Sequence, residues 1–76
     1  MSDKSFRARV VDDIREKIAN GVWKPGERLP TKQKLAEMYG VSTGVIDAAM
    51  IELRAAGLVR GQQGKGVYVA DRLSAS

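Results

Sequence analysis

Apolar residues recur at three- and four-residue steps near the start of the chain. The positions that share this spacing are Phe6, Val10, Val11, Ile14 and Ile18. Such a period places them on one face of a helix, which we expect to run from about residue 6 to residue 20. Asp3 or Ser5 can cap its start, and Gly21 can adopt the left-handed conformation that ends it.

The next segment, VWKPGERLP, breaks this pattern. Pro25-Gly26 is a strong turn signal, and Pro30 disfavours helix at the residue before it. We expect an extended connector there, or a connector that contains a short strand. A second, short helix, KQKLAEMY, should follow with Thr31 as its N-cap and end at Gly40.

A third helix is predicted from about Thr43 to Ala56. Ser42 supplies its N-cap and Gly57 ends it. Its inward face is expected to consist of Ile46, Ala49, Met50 and Leu53.

The pattern changes to a β-like one after residue 57. The pieces LVR and VYV flank GQQGKG, which predicts a hairpin with a glycine-rich tip. The chain is therefore expected to be mainly α, with three helices followed by a small β-hairpin. We find no internal repeat or interdomain linker, so residues 1–70 are predicted to form one domain and residues 71–76 a loose tail.

Composition narrows the classes of function. A chain of 76 residues buries only about 60% of its unfolded surface, which leaves no room for an enclosed pocket for a sizeable ligand. Without cysteine or histidine, disulfides, thiolate metal sites and nucleophile–histidine pairs are excluded. Nothing clusters the carboxylates or lysines, so we predict no enzyme, cofactor or metal site.

Two further absences concern membranes. No apolar run approaches the roughly 20 residues needed to span a bilayer. The N-terminal MSDKSFRAR also lacks a signal-peptide core. We therefore expect a soluble, cytoplasmic protein with no membrane partner.

The charge of the chain is unevenly distributed. Thirteen Lys and Arg against nine Asp and Glu give a formal charge of +4, which fits a polyanionic partner. None of these basic residues falls between Leu35 and Leu53, a window that contains Glu37, Asp47 and Glu52. The positive charge thus lies outside the segment that contains most of the second and third helices.

The segment from Lys32 to Leu53 has the spacing of a helix-turn-helix. Gly40 suits the tight turn between the helices, and Ala36 is small enough to let them cross closely. The expected inward positions are Leu35, Tyr39, Val41, Ile46 and Ala49. A plain helical hairpin also needs a glycine turn and an apolar seam, but the two caps and the following hairpin favour the helix-turn-helix.

The segment PGERLPTKQKLAEMYGVSTGVIDAAMIELRAAGLVRGQQGKGVYVA resembles the winged-helix DNA-binding domain of the GntR family of bacterial transcriptional regulators. PGERLP, LAEMYGVS, GLV and QGKGVYVA carry the likeness, which extends from Phe6 to Ala70. It implies a winged helix-turn-helix of three helices plus a wing that binds double-stranded operator DNA as a homodimer. The third helix would enter the major groove, and the wing would touch the minor groove or the backbone.

The chain departs from the family pattern within this segment. The family usually has arginines where this chain has Gln33, Thr43 and Asp47, and commonly a threonine at Gly44. The usual operator preference therefore does not carry over. Family members normally add a larger C-terminal effector-binding domain, so the chain is expected to be an excised domain or a minimal protein without a small-molecule effector.

Candidate phosphate contacts lie at the start of the second helix. Lys32 and Lys34 occupy its first turn, where the helix dipole disfavours cations, and Gln33 lies between them. Helix stability alone would not select lysine there, which favours a contact with phosphate. The alternative is a solvated helix start.

The wing offers Gly64, Lys65 and Gly66 as candidates. The glycines allow the backbone to lie close to DNA, and the lysine adds one charge. The alternative is a β-turn with a solubilising lysine. A nucleotide-binding Walker loop is excluded, because only two residues separate Gly61 from Gly64 and a strand follows.

Candidate base contacts lie at the start of the third helix. They are Ser42, Thr43, Gly44, Val45 and Asp47. Val45 can lie against a thymine methyl group, and Asp47 can accept a hydrogen bond from a cytosine amino group. Asp47 can instead face water or form an ion pair. We predict a sequence-specific DNA-binding regulator, and the alternative is a winged helix that docks another protein.

Overall fold

The computed structural model describes residues 5–62 and 66–70. Along the chain they form α1 (Phe6–Ala19), α2 (Lys32–Tyr39), α3 (Thr43–Ala55), β1 (Val59–Gln62) and β2 (Gly66–Val69). This order confirms the predicted three helices followed by a hairpin. The predicted tip residues Gly64 and Lys65 and the predicted tail, residues 71–76, lie outside the described residues.

A side-chain hydroxyl caps the start of each helix. Ser5 Oγ accepts a hydrogen bond from the Ala8 amide at 3.1 Å, which makes Ser5 the cap of α1. Thr31 and Ser42 cap α2 and α3 in the same way, as predicted. Each cap satisfies a backbone N–H that the helix leaves without a partner, and its removal typically costs about 1 kcal/mol.

The helices end close to the predicted positions. Gly40 follows α2 with φ +65° and ψ +37°, the left-handed conformation expected of it. α1 and α3 each end one residue before the predicted limit, because ψ is near 0° at Asn20 and Ala56. This ψ turns the chain out of the helix before the following glycine reverses its direction.

The sheet involves more of the connector than its sequence indicates. β1 and β2 pair in antiparallel register, with Val59 opposite Val69 and Gln62 opposite Gly66. On its other side β2 pairs with the connector through an antiparallel bridge between Arg28 and Tyr68. Backbone hydrogen bonds from Leu29 to Val67 (2.8 Å) and from Val69 to Glu27 (2.9 Å) flank this bridge. β2 therefore lies between the connector and β1.

One apolar core joins these elements. α1, α2 and β1 all pack on α3, and the predicted inward residues of α3 are buried. Leu35 is also buried, whereas Tyr39 and Val41 are partly buried. Trp23 packs at the core with 8% of its surface exposed. Within residues 5–62 and 66–70, no helix has the length and apolarity to cross a membrane.

Candidate nucleic-acid interface

The start of α2 presents three candidate contacts to solvent. Lys32, Gln33 and Lys34 are all exposed. The Lys34 amide donates to Thr31 Oγ1 at 3.1 Å, so the N-cap fixes the backbone of this turn. The two lysines therefore extend from an ordered helix start.

The start of α3 is also exposed and bears no charge over its first turn. Ser42, Thr43 and Gly44 are exposed, and Ser42 Oγ accepts a hydrogen bond from the Val45 amide at 3.3 Å. Val45 is partly buried against the core, so only part of its side chain is available to a partner. Asp47, further along α3, is exposed as well, so four of the five candidate base-contacting residues are exposed.

Asp47 forms an ion pair with Lys32. The Lys32 Nζ and Asp47 Oδ1 atoms are 3.4 Å apart, and both side chains remain about half exposed (47% and 58%). The ion pair joins the start of α2 to the middle of α3. Asp47 was expected to face water or to form an ion pair if it does not contact a base, and the structure shows the ion pair. It neutralises the acidic charge that stands at an arginine position of the family.

Of the three candidate contacts in the hairpin, Gly66 lies within the described residues. Gly66 begins β2 with φ +113°, a conformation that L side chains rarely adopt. Gly64 and Lys65 lie outside the described residues and remain predictions.

A groove of about 430 Å³ lies between α3, the start of α2, the connector and the start of β2. Its polar lining comprises Arg28, Thr31, Lys32, Asp47 and Arg54, and its apolar lining includes Ile46, Met50 and Val67. Sequence reasoning did not single out Arg28 or Arg54. A signal for Arg54 was present, because it lies seven residues after Asp47 and therefore on the same face of α3.

Both arginines of the groove lie against glycines of the hairpin. A Cβ atom built at Gly61 would be 3.2 Å from Arg54 Nη2, and one built at Gly66 would be 2.9 Å from Arg28 Nε. A side chain at either position would displace a guanidinium group. The glycines of the hairpin thus provide room for arginines that come from α3 and from the connector.

A hydrogen-bonded cluster holds α2 against α1. The Tyr39 hydroxyl and Lys17 Nζ both donate to Asp13 Oδ2, the latter at 2.9 Å. The hydrogen bond from Tyr39, reinforced by the one from Lys17, holds the pKa of Asp13 below its ordinary value. Burial and the hydrogen bond to Asp13 raise the pKa of Tyr39. The ionised Asp13 therefore fixes the C-terminal end of α2, and the candidate lysines lie at the N-terminal end of the same helix.

The chain matches a protein family over most of its length. Residues 6–69 match the family described as bacterial regulatory proteins, gntR family. The histidine utilization repressor of Klebsiella aerogenes is 39% identical over 66 residues, which are 87% of this chain and 27% of that protein. The repressor MngR of the mannosyl-D-glycerate transport/metabolism system of Escherichia coli is 37% identical over 71 residues, 93% of this chain and 30% of that protein. The chain thus spans less than a third of the length of these curated relatives.

Solved structures have the same fold. The structure of AraR(DBD) in complex with an operator superposes with a TM-score of 0.87 at 32% identity, and covers 90% of this chain and 83% of that one. A putative GntR-family transcriptional regulator superposes with a TM-score of 0.83 at 40% identity, over 91% of this chain and 27% of that one. The three helices and the hairpin therefore form a winged helix.

Proposed function

Because the chain belongs to the GntR family of bacterial regulatory proteins, we propose that it binds duplex DNA in a sequence-specific manner and regulates transcription. The observation that carries the proposal is the exposed start of α3, flanked by the exposed lysines at the start of α2. The likeness to AraR(DBD), which was solved with an operator, supports duplex DNA as the partner.

In this proposal α3 enters the major groove with its N-terminus leading. Thr43 and Gly44 have small or no side chains, so the helix backbone can approach the base edges closely. Lys32 and Lys34 contact phosphates beside the groove, where they set the position of the helix without reading sequence. The tip of the hairpin, including Lys65, lies at the backbone or in the minor groove.

A homodimer on a two-fold operator is part of the proposal. Two copies of α3 would reach successive major grooves on one face of the duplex, so the half-site centres should be about 10 base pairs apart or a multiple of this. Sedimentation of the chain with DNA that contains one or two half-sites would measure this stoichiometry.

Selection of bound sequences from a random duplex pool tests the proposed function. We expect an enriched motif, with base preferences that change when Thr43 is substituted. A folded chain that enriches no sequence would contradict sequence-specific binding.

The second candidate function is docking of another protein on α3. The exposed Ile51, with 66% of its surface accessible, favours this candidate, because it adds an apolar side chain to the groove. Ile51→Lys separates the candidates. The substitution should tighten DNA binding if DNA lies along this face, whereas it should abolish docking of an apolar protein surface.

A further inference from the structure

We propose that the groove between α3 and the hairpin holds one sugar–phosphate strand of duplex DNA, and that Arg28 and Arg54 bind its phosphates. This inference rests on the proposed function, since it takes duplex DNA as the partner. It adds two contact residues on elements other than the helix starts and the tip of the hairpin.

The path of the strand follows from the geometry of the duplex. The major and minor grooves of DNA are neighbours separated by a single backbone strand. A protein that places α3 in one groove and its hairpin tip at the other must straddle that strand. In this chain the space between the two elements is the groove of about 430 Å³. The groove therefore lies where the strand would pass.

The charged side chains of the groove suit a polyanion, and they lie beside apolar ones such as Met50 and Val67. Its lining has three cations, Arg28, Lys32 and Arg54, and one carboxylate, Asp47. That carboxylate is already 3.4 Å from Lys32 Nζ. Within residues 5–62 and 66–70, no acidic group comes within ion-pair distance of Arg28 or Arg54. The two guanidinium groups are thus available for phosphate, which they can bind through paired N–H donors.

The hairpin also limits where these guanidinium groups can lie. Arg54 rests at Gly61 on β1 and Arg28 at Gly66 on β2, in spaces that a Cβ atom would fill. A long side chain that already lies along a wall of the groove loses less conformational freedom when DNA arrives than one extended into solvent. Gly61 and Gly66 therefore act as positioning residues for the two arginines.

The test is a titration of the 76-residue chain with a mixed-sequence duplex of about 25 base pairs at several salt concentrations. Arg28→Met and Arg54→Met remove the charge but keep a long apolar stem. Each should make the slope of log K against log[salt] shallower by about 0.9, which corresponds to roughly eightfold weaker binding at 0.1 M salt. Arg15→Met, which removes the same charge from an exposed site on α1 outside the groove, should leave the slope unchanged.

Conservative variants and the unaltered chain separate a DNA contact from a folding defect. Arg28→Lys and Arg54→Lys retain the charge and should keep the parental slope. In the unaltered, ¹⁵N-labelled chain, the Nε–H signals of Arg28 and Arg54 should shift when the duplex is added, whereas that of Arg15 should not. This measurement remains decisive even if a Met variant unfolds.

The outcomes for the groove and for the proposed function are distinguishable. If the parent binds duplex DNA but both Met variants keep its slope and neither arginine signal shifts, the groove is not the path of the strand and DNA binding stands. If the folded parent does not bind duplex DNA at any salt concentration, the proposed function fails and the groove proposal fails with it.

Discussion

At the scale of single residues, Asp13 is the acceptor that joins two helices. It accepts hydrogen bonds from Tyr39 on α2 and from Lys17 on its own helix. A lowered pKa means that the folded state favours the ionised carboxylate more than the unfolded state does. This stabilisation is therefore present above the unfolded pKa of about 3.9 and is lost as the pH falls through the lower, folded value.

Asp13→Asn should accordingly lower the free energy of unfolding in a pH-dependent way. At pH 7 we expect the free energy of unfolding to fall by about 1 kcal/mol. This is less than the usual value for a hydrogen bond to a charged group, because the site is about one-third exposed. The difference from the parent should shrink as the pH falls below 4. Urea denaturation between pH 7 and pH 3 measures it, with Glu16→Gln on the same helix as the control. A difference that does not change with pH would contradict the assigned role.

Asp47→Ala removes the ion pair between α2 and α3 without disturbing the core, since Asp47 is exposed. We expect tighter binding to all duplexes alike and a steeper salt dependence, because the substitution removes a carboxylate that repels phosphates and competes with them for Lys32. Glu37→Ala, an exposed carboxylate of α2 outside the groove, is the matched control. Loss of about 1–3 kcal/mol on one preferred site alone would instead show that Asp47 contacts a base.

Residue-scale contacts differed in how far the sequence indicated them. Lys32 and Lys34 were identifiable as candidates because cations oppose the helix dipole there, and their contact with phosphate stays a prediction. The partner of Asp47 was not identifiable, because whether Lys32 reaches it depends on how α2 crosses α3. Arg28 was missed for a similar reason, since its position beside Gly66 requires the connector to pair with β2.

At the scale of elements, Gly40 and Gly44 differ in whether the backbone requires glycine at their position. Gly40 has φ +65°, whereas Gly44 lies within α3 and a Cβ there would be 3.7 Å from Ser42 Oγ, an ordinary contact. Gly40→Ala should cost about 1 kcal/mol or more through backbone strain. Gly44→Ala should stabilise the domain by up to about 1 kcal/mol. Thermal unfolding compares the two directly, and equal melting temperatures would contradict the turn assignment.

The helices were predictable because their determinants are local. Apolar period, hydroxyl caps and terminating glycines all lie within the element that they define, and the bounds agree to within one residue. The pairing of the connector with β2 was not predictable in this way. It joins Arg28 to Tyr68, which are far apart in the sequence. The sequence of the connector allows an extended segment or a short strand but does not indicate its partner. The groove depends on that pairing and was missed with it.

At the scale of the whole molecule, the affinity for DNA should fall with added salt to the extent expected of a small number of phosphate contacts. Lys32, Lys34, Arg28 and Arg54 would together give a slope of log K against log[salt] of about −4. Lys34→Ala should make it shallower by about one unit for every DNA sequence. Fluorescence anisotropy between about 0.05 and about 0.3 M salt, a range that brackets the physiological ionic strength of about 0.15 M, measures the slope. A slope near zero would contradict an interface made of phosphate contacts.

The central position of β2 has a consequence for synthesis. A ribosome releases the connector and β1 first, yet neither can pair with the strand that belongs between them until residues 66–70 have emerged. Until then the backbone groups of both segments remain solvated, and Leu29 and Val59 lack the cover of Val69. Translation of the final strand is therefore the step that assembles the groove. A nascent chain that stalls before Gly66 contains the segments of all three helices but lacks β2, whose start lines the groove.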